Sequence, residues 1–317
     1  VRLLDEGYDV RTTVRSAARE QIVRSAIGEA VDAGERLAVL QADLTSDEGW
    51  ADAAAGCRYV LHPASPLGGS APGSMIAAAR DGADRVLEFA AEAGVERVVM
   101  TSAANASSPT SYREPGMTDE TLWTIPDAPG LDEYRRSKTL AEQAAWAFIE
   151  ARHGPMTLTT ILPGAVFGPI LGTDKLGSVQ VIGRLLRGDM PRVPRIGLEV
   201  VDVRDIADIH LSAMASPAAG GQRFLATGEL VWMPDVARLL RDELGEAAAR
   251  VPTKSVPDAI VRMLARRRPE LRGVLPGLGR RNQHSTAKAQ QMLAWHPRPA
   301  REAVLDCARS LISHGVA

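Results

Sequence analysis

Cysteine is nearly absent from this chain: Cys57 and Cys307 are all there is in 317 residues. Two thiols so far apart make neither a disulfide framework nor a metal-spacing cluster, and the six histidines are scattered without ligand spacing. No stretch approaches the ~20 apolar residues of a membrane span, and no secretory signal precedes the fold. A reducing cytoplasm and no membrane partner are the resulting expectations. Charge of one sign is lacking as well: 37 Lys and Arg stand against 39 Asp and Glu. That balance excludes a global attraction to nucleic acid, and no nucleic-acid recognition motif is present. Lysine itself is scarce, four against 33 arginines, which makes Lys138 stand out.

What is present is an ordinary globular composition, 45% apolar and 24% charged, with chain enough for two domains. The first two-thirds alternates short β-rich runs with longer helical ones. Strands are expected at Val10–Val14, Leu37–Gln41, Tyr59–His62, Arg97–Thr101 and Thr157–Leu162. Between them, helices are expected at Ala17–Ile27, after Ser46 as N-cap with Asp47 and Glu48 in its first turn, from Ser74 to a stop at Gly94, and at Leu131–Arg152. Continuous apolar strands separated by helices predict an α/β fold, a doubly wound parallel sheet covered on both faces. From about Gly168 the rhythm becomes irregular, with helices expected near Ser178–Arg187, Met233–Leu244, Pro257–Arg266 and Ala300–His314. The reading is a dinucleotide-binding domain over 1–167 and a smaller, mostly helical substrate domain over 168–317, with strands near 199–203 and 223–226 returning to the first sheet.

A dinucleotide-binding sheet opens with a strand, a glycine-rich turn and a helix whose N-terminus holds the pyrophosphate. Here Val1 to Gly7 reads as the closing turns of that helix and a glycine stop, followed directly by the second strand. A molecule that really began at Val1 would be expected to bind dinucleotide poorly.

Chemistry concentrates in Tyr134-Arg-Arg-Ser-Lys138. Residues four apart share a helix face, so a lysine ammonium would lie beside the phenol, favour its phenolate and fit it as a general acid. Arg15 ends the second strand of such a sheet, where it can pair with a 2′-phosphate; the plain alternative is a solvent-facing arginine. Asp43 and Leu44 follow the next strand, where a carboxylate can accept from an adenine amino group or simply start a turn. His62-Pro63-Ala64-Ser65-Pro66 and Pro163-Gly164-Ala165-Val166 follow later strands at the same carboxyl edge, where doubly wound sheets bind ligands.

The run Tyr134 to Trp146, with Leu162-Pro-Gly-Ala-Val-Phe-Gly-Pro169 and Val201-Asp-Val-Arg-Asp205, resembles the extended short-chain dehydrogenase/reductases. Within them it is most similar to the dihydroflavonol 4-reductase-like, NAD-dependent epimerase/dehydratase group. The resemblance covers essentially the whole chain. It implies Tyr134 as catalytic acid, Lys138 on the nicotinamide ribose, and Arg15, Asp43 and Leu44 around the adenosine half of NADP. Pro63, Ala64 and Ser65 would line the cofactor groove, Pro163, Gly164, Ala165 and Val166 would pack on the nicotinamide, and Ser178 would contact a phosphate. Val201–Asp205 is read as structural, with Asp205 capping the next helix.

One position departs from the family pattern. The strand before the catalytic helix normally ends in a Thr-Ser-Ser type run whose last serine hydrogen-bonds the substrate carbonyl, and here Ala103 stands in its place. Ser102, Thr101, Ser107 or Ser108 would have to substitute, or polarisation of the carbonyl is weakened. The long connection from Ala104 to Asp132 is expected to be a lid. The basic stretch from Lys254 to Arg281 is expected to be a solvated face, the alternative being attraction of an anionic substrate. The leading expectation is an NADP(H)-dependent reductase of a small aldehyde or ketone. A nucleotide-sugar epimerase or dehydratase with bound NAD and a non-catalytic NADP-binding sensor stay open, as does a homodimer.

Overall fold

A computed structural model of the chain describes residues 1–65, 74–173, 176–267 and 274–317. The elements run α1 (Arg2–Asp5), β1 (Val10–Val14), α2 (Ala18–Gly28), β2 (Leu37–Gln41), α3 (Trp50–Ala54), β3 (Tyr59–His62), α4 (Ser74–Glu92) and β4 (Arg97–Thr101). They continue with β5 (Gly116–Thr118), α5 (Glu133–Arg152), β6 (Thr157–Pro163), β7 (Ala165–Phe167), α6 (Gln180–Arg187), β8 (Val193–Pro194), β9 (Gly197–Asp202) and α7 (Val203–Ala215). The last are β10 (Gln222–Ala226), β11 (Glu229–Trp232), α8 (Met233–Leu244), β12 (Ser255–Val256), α9 (Asp258–Arg267), β13 (Asn282–His284), α10 (Ala287–Leu293) and α11 (Ala300–Ser313).

The chain divides into two compact units, the first made of Val1–Ala106, Glu133–Ile161 and Ala207–Phe224. Its sheet has the order β10-β6-β4-β3, and β3, β4 and β6 pair in parallel. Side chains alternate across a strand, and β4 shows what each face does. Val98 and Met100 pack with Ala79, Ala83 and Leu87 of α4 and Ala141 and Ala145 of α5. On the other face Arg97 donates to the carbonyls of Ala213 and Met214, and Thr101 bonds His210, all on α7. The sheet is therefore wound on both sides, as its apolar strands predict. β1 and β2 form a separate parallel pair; β1 is laddered only to β2 and β3 only to β4 among the described residues.

The second unit comprises Ser107–Asp132, Leu162–Ile206 and Leu225–Ala317. Its core gathers Phe167, Val200, Leu185 and Leu186 with Met233, Val236 and Leu240 of α8 and Val304, Cys307 and Leu311 of α11. Three small sheets accompany these helices: β11-β9-β7, β12-β8 and β13-β5.

Several expectations are corrected. The strand expected near Glu199–Val203 does not return to the four-stranded sheet; as β9 it pairs with β7 and β11. Ser46 is no helix cap: its Oγ accepts the Glu48 N–H at 3.3 Å in a local turn, and α3 starts at Trp50, after Gly49. Gly49 wins because the chain there needs a left-handed residue at φ +82°, with the Gln41 carbonyl oxygen only 2.0 Å from where a Cβ would sit. Asp205 does not cap α7. Asp202, directly before that helix, accepts the Arg204 N–H at 2.8 Å, whereas the Asp205 carboxylate holds Arg298.

Gly49→Ala should destabilise the chain by about 2 kcal/mol or more, combining left-handed strain with a backbone clash. Gly94→Ala, at φ +74° with open space around its Cβ, should cost about 1–2 kcal/mol. Urea titrations of both variants check this, and equal losses would show that the Gln41 contact relaxes freely.

Candidate active site

Tyr134 lies in the first turn of α5 and is 38% exposed. Lys138, one turn further on, is 7% exposed. Removing an ammonium from water is costly unless it is paired, and here burial pushes Lys138 down from 10.5 to about 8, the Glu142 carboxylate opposing the shift. Lys138 has no hydrogen-bond partner among the described residues. His62, at the end of β3, is also buried; burial first and the charge of Lys138 second push it down to about 4, so its ring is neutral at pH 7.

The strand end beside α5 is tightly bonded. Ser102 is 3% exposed and donates its only hydroxyl proton to Glu142 Oε2 at 2.6 Å. Glu142 also accepts from Thr160 at 2.7 Å and pairs with Arg223 at 2.8 Å. Thr101 Oγ1 is 2.7 Å from His210 Nε2. Ser102 and Thr101, expected as replacement carbonyl donors at Ala103, are thus engaged in interior bonds. For Ser102 the partner is a carboxylate 40 positions along the chain, which strand-end spacing does not reveal. The other two candidates fare no better. Ser107 donates to the carbonyls of Asp119 and Leu122, and Ser108 accepts from Tyr112 and bonds His284.

The residues expected around the adenosine half lie in the same unit. Arg15 directly follows β1, is exposed and makes no ion pair among the described residues. Asp43 starts a turn: its Oδ1 accepts from the Thr45 hydroxyl at 2.7 Å and N–H at 2.8 Å. Those bonds hold its carboxyl below the usual range, with Arg15 and Arg85 adding a smaller pull. Leu44 is half-buried against the Ala42, Trp50 and Val86 cluster. Pro63 and Ala64 are exposed and Ser65 half-buried after β3; Pro66 lies outside the described residues.

Pro163, Gly164, Ala165 and Val166 belong to the second unit. Gly164 has a structural reason of its own, because a Cβ there would meet the Glu199 carbonyl oxygen at 2.3 Å. Ser178 is exposed in the short 3₁₀ turn Gly177–Val179. A cavity of about 470 Å³ in this unit, lined by Arg195, Trp232, Asp235 and Asp258 among others, contains none of the expected site residues.

The expected lid is pinned down. From Ser107 onward it belongs to the second unit, where β5 pairs in parallel with β13. His284 Nδ1 lies 2.6 Å from Glu199 Oε2, Arg280 donates to the same oxygen at 2.5 Å, and the Arg280 guanidinium stacks 4.2 Å over Tyr112. This buried cluster was missed, since its members are too far apart in sequence to show any spacing. It also splits the basic stretch. Lys254, Arg266, Arg267 and Arg281 are exposed, whereas Arg280 is interior and paired; Arg268 and Arg272 lie outside the described residues.

The model of the NAD dependent epimerase/dehydratase family matches residues 1–226. Cinnamoyl-CoA reductase 1 of Petunia hybrida is 35% identical over 255 residues, 80% of this chain and 74% of that one. Dihydroflavonol 4-reductase of Zea mays is 31% identical over 256 residues, 78% of this chain and 70% of that one. Among solved structures, yeast methylglyoxal/isovaleraldehyde reductase Gre2 complexed with NADPH superposes with a TM-score of 0.80 at 23% identity, covering 100% of this chain and 95% of that one. That likeness speaks for a Rossmann-like fold. The chain belongs to the NAD dependent epimerase/dehydratase family.

Lys138 gives a stability prediction whose sign follows from its titration. The native state binds this proton less tightly than the unfolded chain, so the charged lysine destabilises the fold fully below about pH 8. The penalty fades as pH rises towards 10.5, where the unfolded lysine loses its proton too. Lys138→Met should therefore raise stability at pH 7 by about 1–3 kcal/mol, with a clearly smaller gain at pH 10. Paired urea titrations test this; equal gains at both pH values would trace the effect to packing.

Proposed function

We propose that this member of the family is an oxidoreductase that reduces a small aldehyde or ketone with NADPH, using Tyr134 as the acid and Lys138 as cofactor ligand and tuner. Lys138 carries the reading. A buried ammonium without a hydrogen-bond partner among the described residues is a standing cost, and ribose hydroxyls would satisfy it. Arg15 fits the same cofactor, being an exposed cation just after β1 with no ion pair among the described residues, suited to a 2′-phosphate. Both relatives named above are called reductases, and Gre2 is described with NADPH.

In this reading Arg15, Asp43 and Leu44 hold the adenosine half, Asp43 through the carboxylate oxygen that Thr45 leaves open. Pro63, Ala64 and Ser65 line the groove, Pro163 to Val166 lie against the nicotinamide, and Ser178 meets a phosphate. When bound, NADPH supplies the hydride that reaches the carbonyl carbon. Tyr134 passes its phenolic proton to the carbonyl oxygen, and the Lys138 charge stabilises the phenolate left behind. A proton from solvent restores the phenol. His62, held neutral, adds no second positive charge beside Lys138.

A second reading, NADP binding without turnover, draws on Ala103 together with the Ser102 hydroxyl, whose proton goes to Glu142. The two are separable. Tyr134→Phe should lower kcat by about 10²–10⁴-fold with NADPH affinity nearly unchanged, as expected for a group acting in the transition state. Ala103→Ser should raise kcat/KM for simple carbonyls by about 10–100-fold. No turnover in the parent or the serine variant, with NADPH still bound, would establish the sensor.

Cofactor choice is tested by titrating NADPH and NADH against tryptophan fluorescence. NADPH should bind more tightly, and Arg15→Ala should weaken it by about 1.5–3 kcal/mol while sparing NADH. Equal affinities in the parent chain would rule out the 2′-phosphate contact.

A further inference from the structure

Glu142 lies on α5 one turn past Lys138 and two past Tyr134, so the three follow one stripe of the helix. Its side chain is fully buried. Oε1 accepts from Thr160 Oγ1 at 2.7 Å, Arg223 Nε at 2.8 Å and Trp146 Nε1 at 3.4 Å. Oε2 accepts from Ser102 Oγ at 2.6 Å and Arg223 Nη2 at 3.3 Å. Donors thus reach it from the end of β4, from β6, from β10 and from its own helix. A buried ion pair of this kind is often no more stabilising than apolar packing, so tying strands together does not by itself explain a charge here. The place of the charge does: it sits one helical turn from a buried ammonium that has no other anion in reach among the groups acting on it.

We propose that Glu142 is a positioning residue for the Tyr134–Lys138 pair, its negative charge fixed by Ser102, Thr160 and Arg223 so that the buried Lys138 ammonium stays protonated at working pH. The role for Tyr134 and Lys138 rests on the reductase reading above; the electrostatic claim does not. Among the described residues, the titratable and charged groups on the elements around Lys138 include His62 from β3, Tyr134 and Glu142 on its own helix, and Arg223 of β10 on the Glu142 carboxylate. His210 of α7 stands one step away through Thr101. His62 is neutral, and Glu142 is the group that favours the charged lysine against its burial.

The test follows the Lys138 ammonium itself, by NMR of the full chain labelled in its four lysines, with Lys138→Met as the assignment control. Glu142→Gln should lower the Lys138 midpoint by about one pH unit or more, the size of an adjacent charge's effect. The alkaline limb of turnover should move by the same amount. Arg223→Met should move the midpoint the opposite way, since it unmasks Glu142. If Glu142→Gln folds poorly with Arg223 left unpaired, the double variant Glu142→Gln/Arg223→Met removes both charges and should still lower the midpoint. Thr160→Val deletes a hydrogen bond without deleting charge; it should cost stability and leave the midpoint in place. An unmoved midpoint in the Glu142 variants overturns the proposal, as does an equal fall in Thr160→Val. A midpoint that falls while the turnover limb stays put supports the electrostatic claim and counts against the reductase roles of Tyr134 and Lys138.

Discussion

The buried contact between Glu142 and Arg223 constrains everything around the candidate site. Two opposite charges taken out of water lose several kcal/mol of hydration each, and their attraction compensates only when their remaining lone pairs and protons find partners. Glu142 meets that condition through Ser102, Thr160 and Trp146. The same carboxylate ties the end of β4, the middle of β6 and the start of β10 to α5. Strands and helix are therefore tied together at the level of Glu142, one helical turn past Lys138. Satisfying this carboxylate also decides what is not available there, because the Ser102 hydroxyl points into the interior.

Against that satisfied interior, Lys138 and His62 stand out as groups the fold keeps at a loss. Burial disfavours the charged form of both, and neither gains a hydrogen-bond partner among the described residues. Stability is commonly given up where function needs a prepared site. Glu142 has a full set of donors, whereas the Lys138 ammonium has no acceptor among the described residues, and on that contrast the proposed cofactor contact rests.

Much of the first unit was legible because periodicity is a local signal. The strands Val10–Val14, Leu37–Gln41 and Arg97–Thr101 read as short β-rich runs, and α4 showed its face through Ala79, Val86, Leu87 and Ala90. Where the deciding partner lies far along the chain, the signal vanishes. β5 and β13 are three residues each and exist because they pair with each other, and neither has a pattern of its own. Ser46 carries every local mark of a helix cap, yet the close approach of Gln41 to Gly49 sets where α3 begins. Ser102 and Thr101 were expected as donors by adjacency to Ala103, and their bonds to Glu142 and His210 lie too far along the chain for the sequence to show. The Tyr134–Lys138 pair was readable because both members sit on one helix.

The connection after β4 shows how length alone misleads. Its length suggested a lid, but several of its residues from Ser107 onward are held by interior bonds of the second unit. Ser108 and the Ser107 carbonyl meet His284, the Tyr112 carbonyl accepts the N–H groups of Arg281 and Asn282, and the Tyr112 ring lies under Arg280. Arg280 and His284 in turn satisfy Glu199, which is 4% exposed. Peeling the segment away would expose or strand parts of that network, and a buried charge that loses its partner costs about 3–5 kcal/mol. Such an opening would be populated at well under one part in a hundred, since about 1.4 kcal/mol already corresponds to a factor of ten. Substrate access by detaching this segment is therefore disfavoured, and its exposed residues, among them Met117 and Ile125, are carried as a fixed part of the second unit.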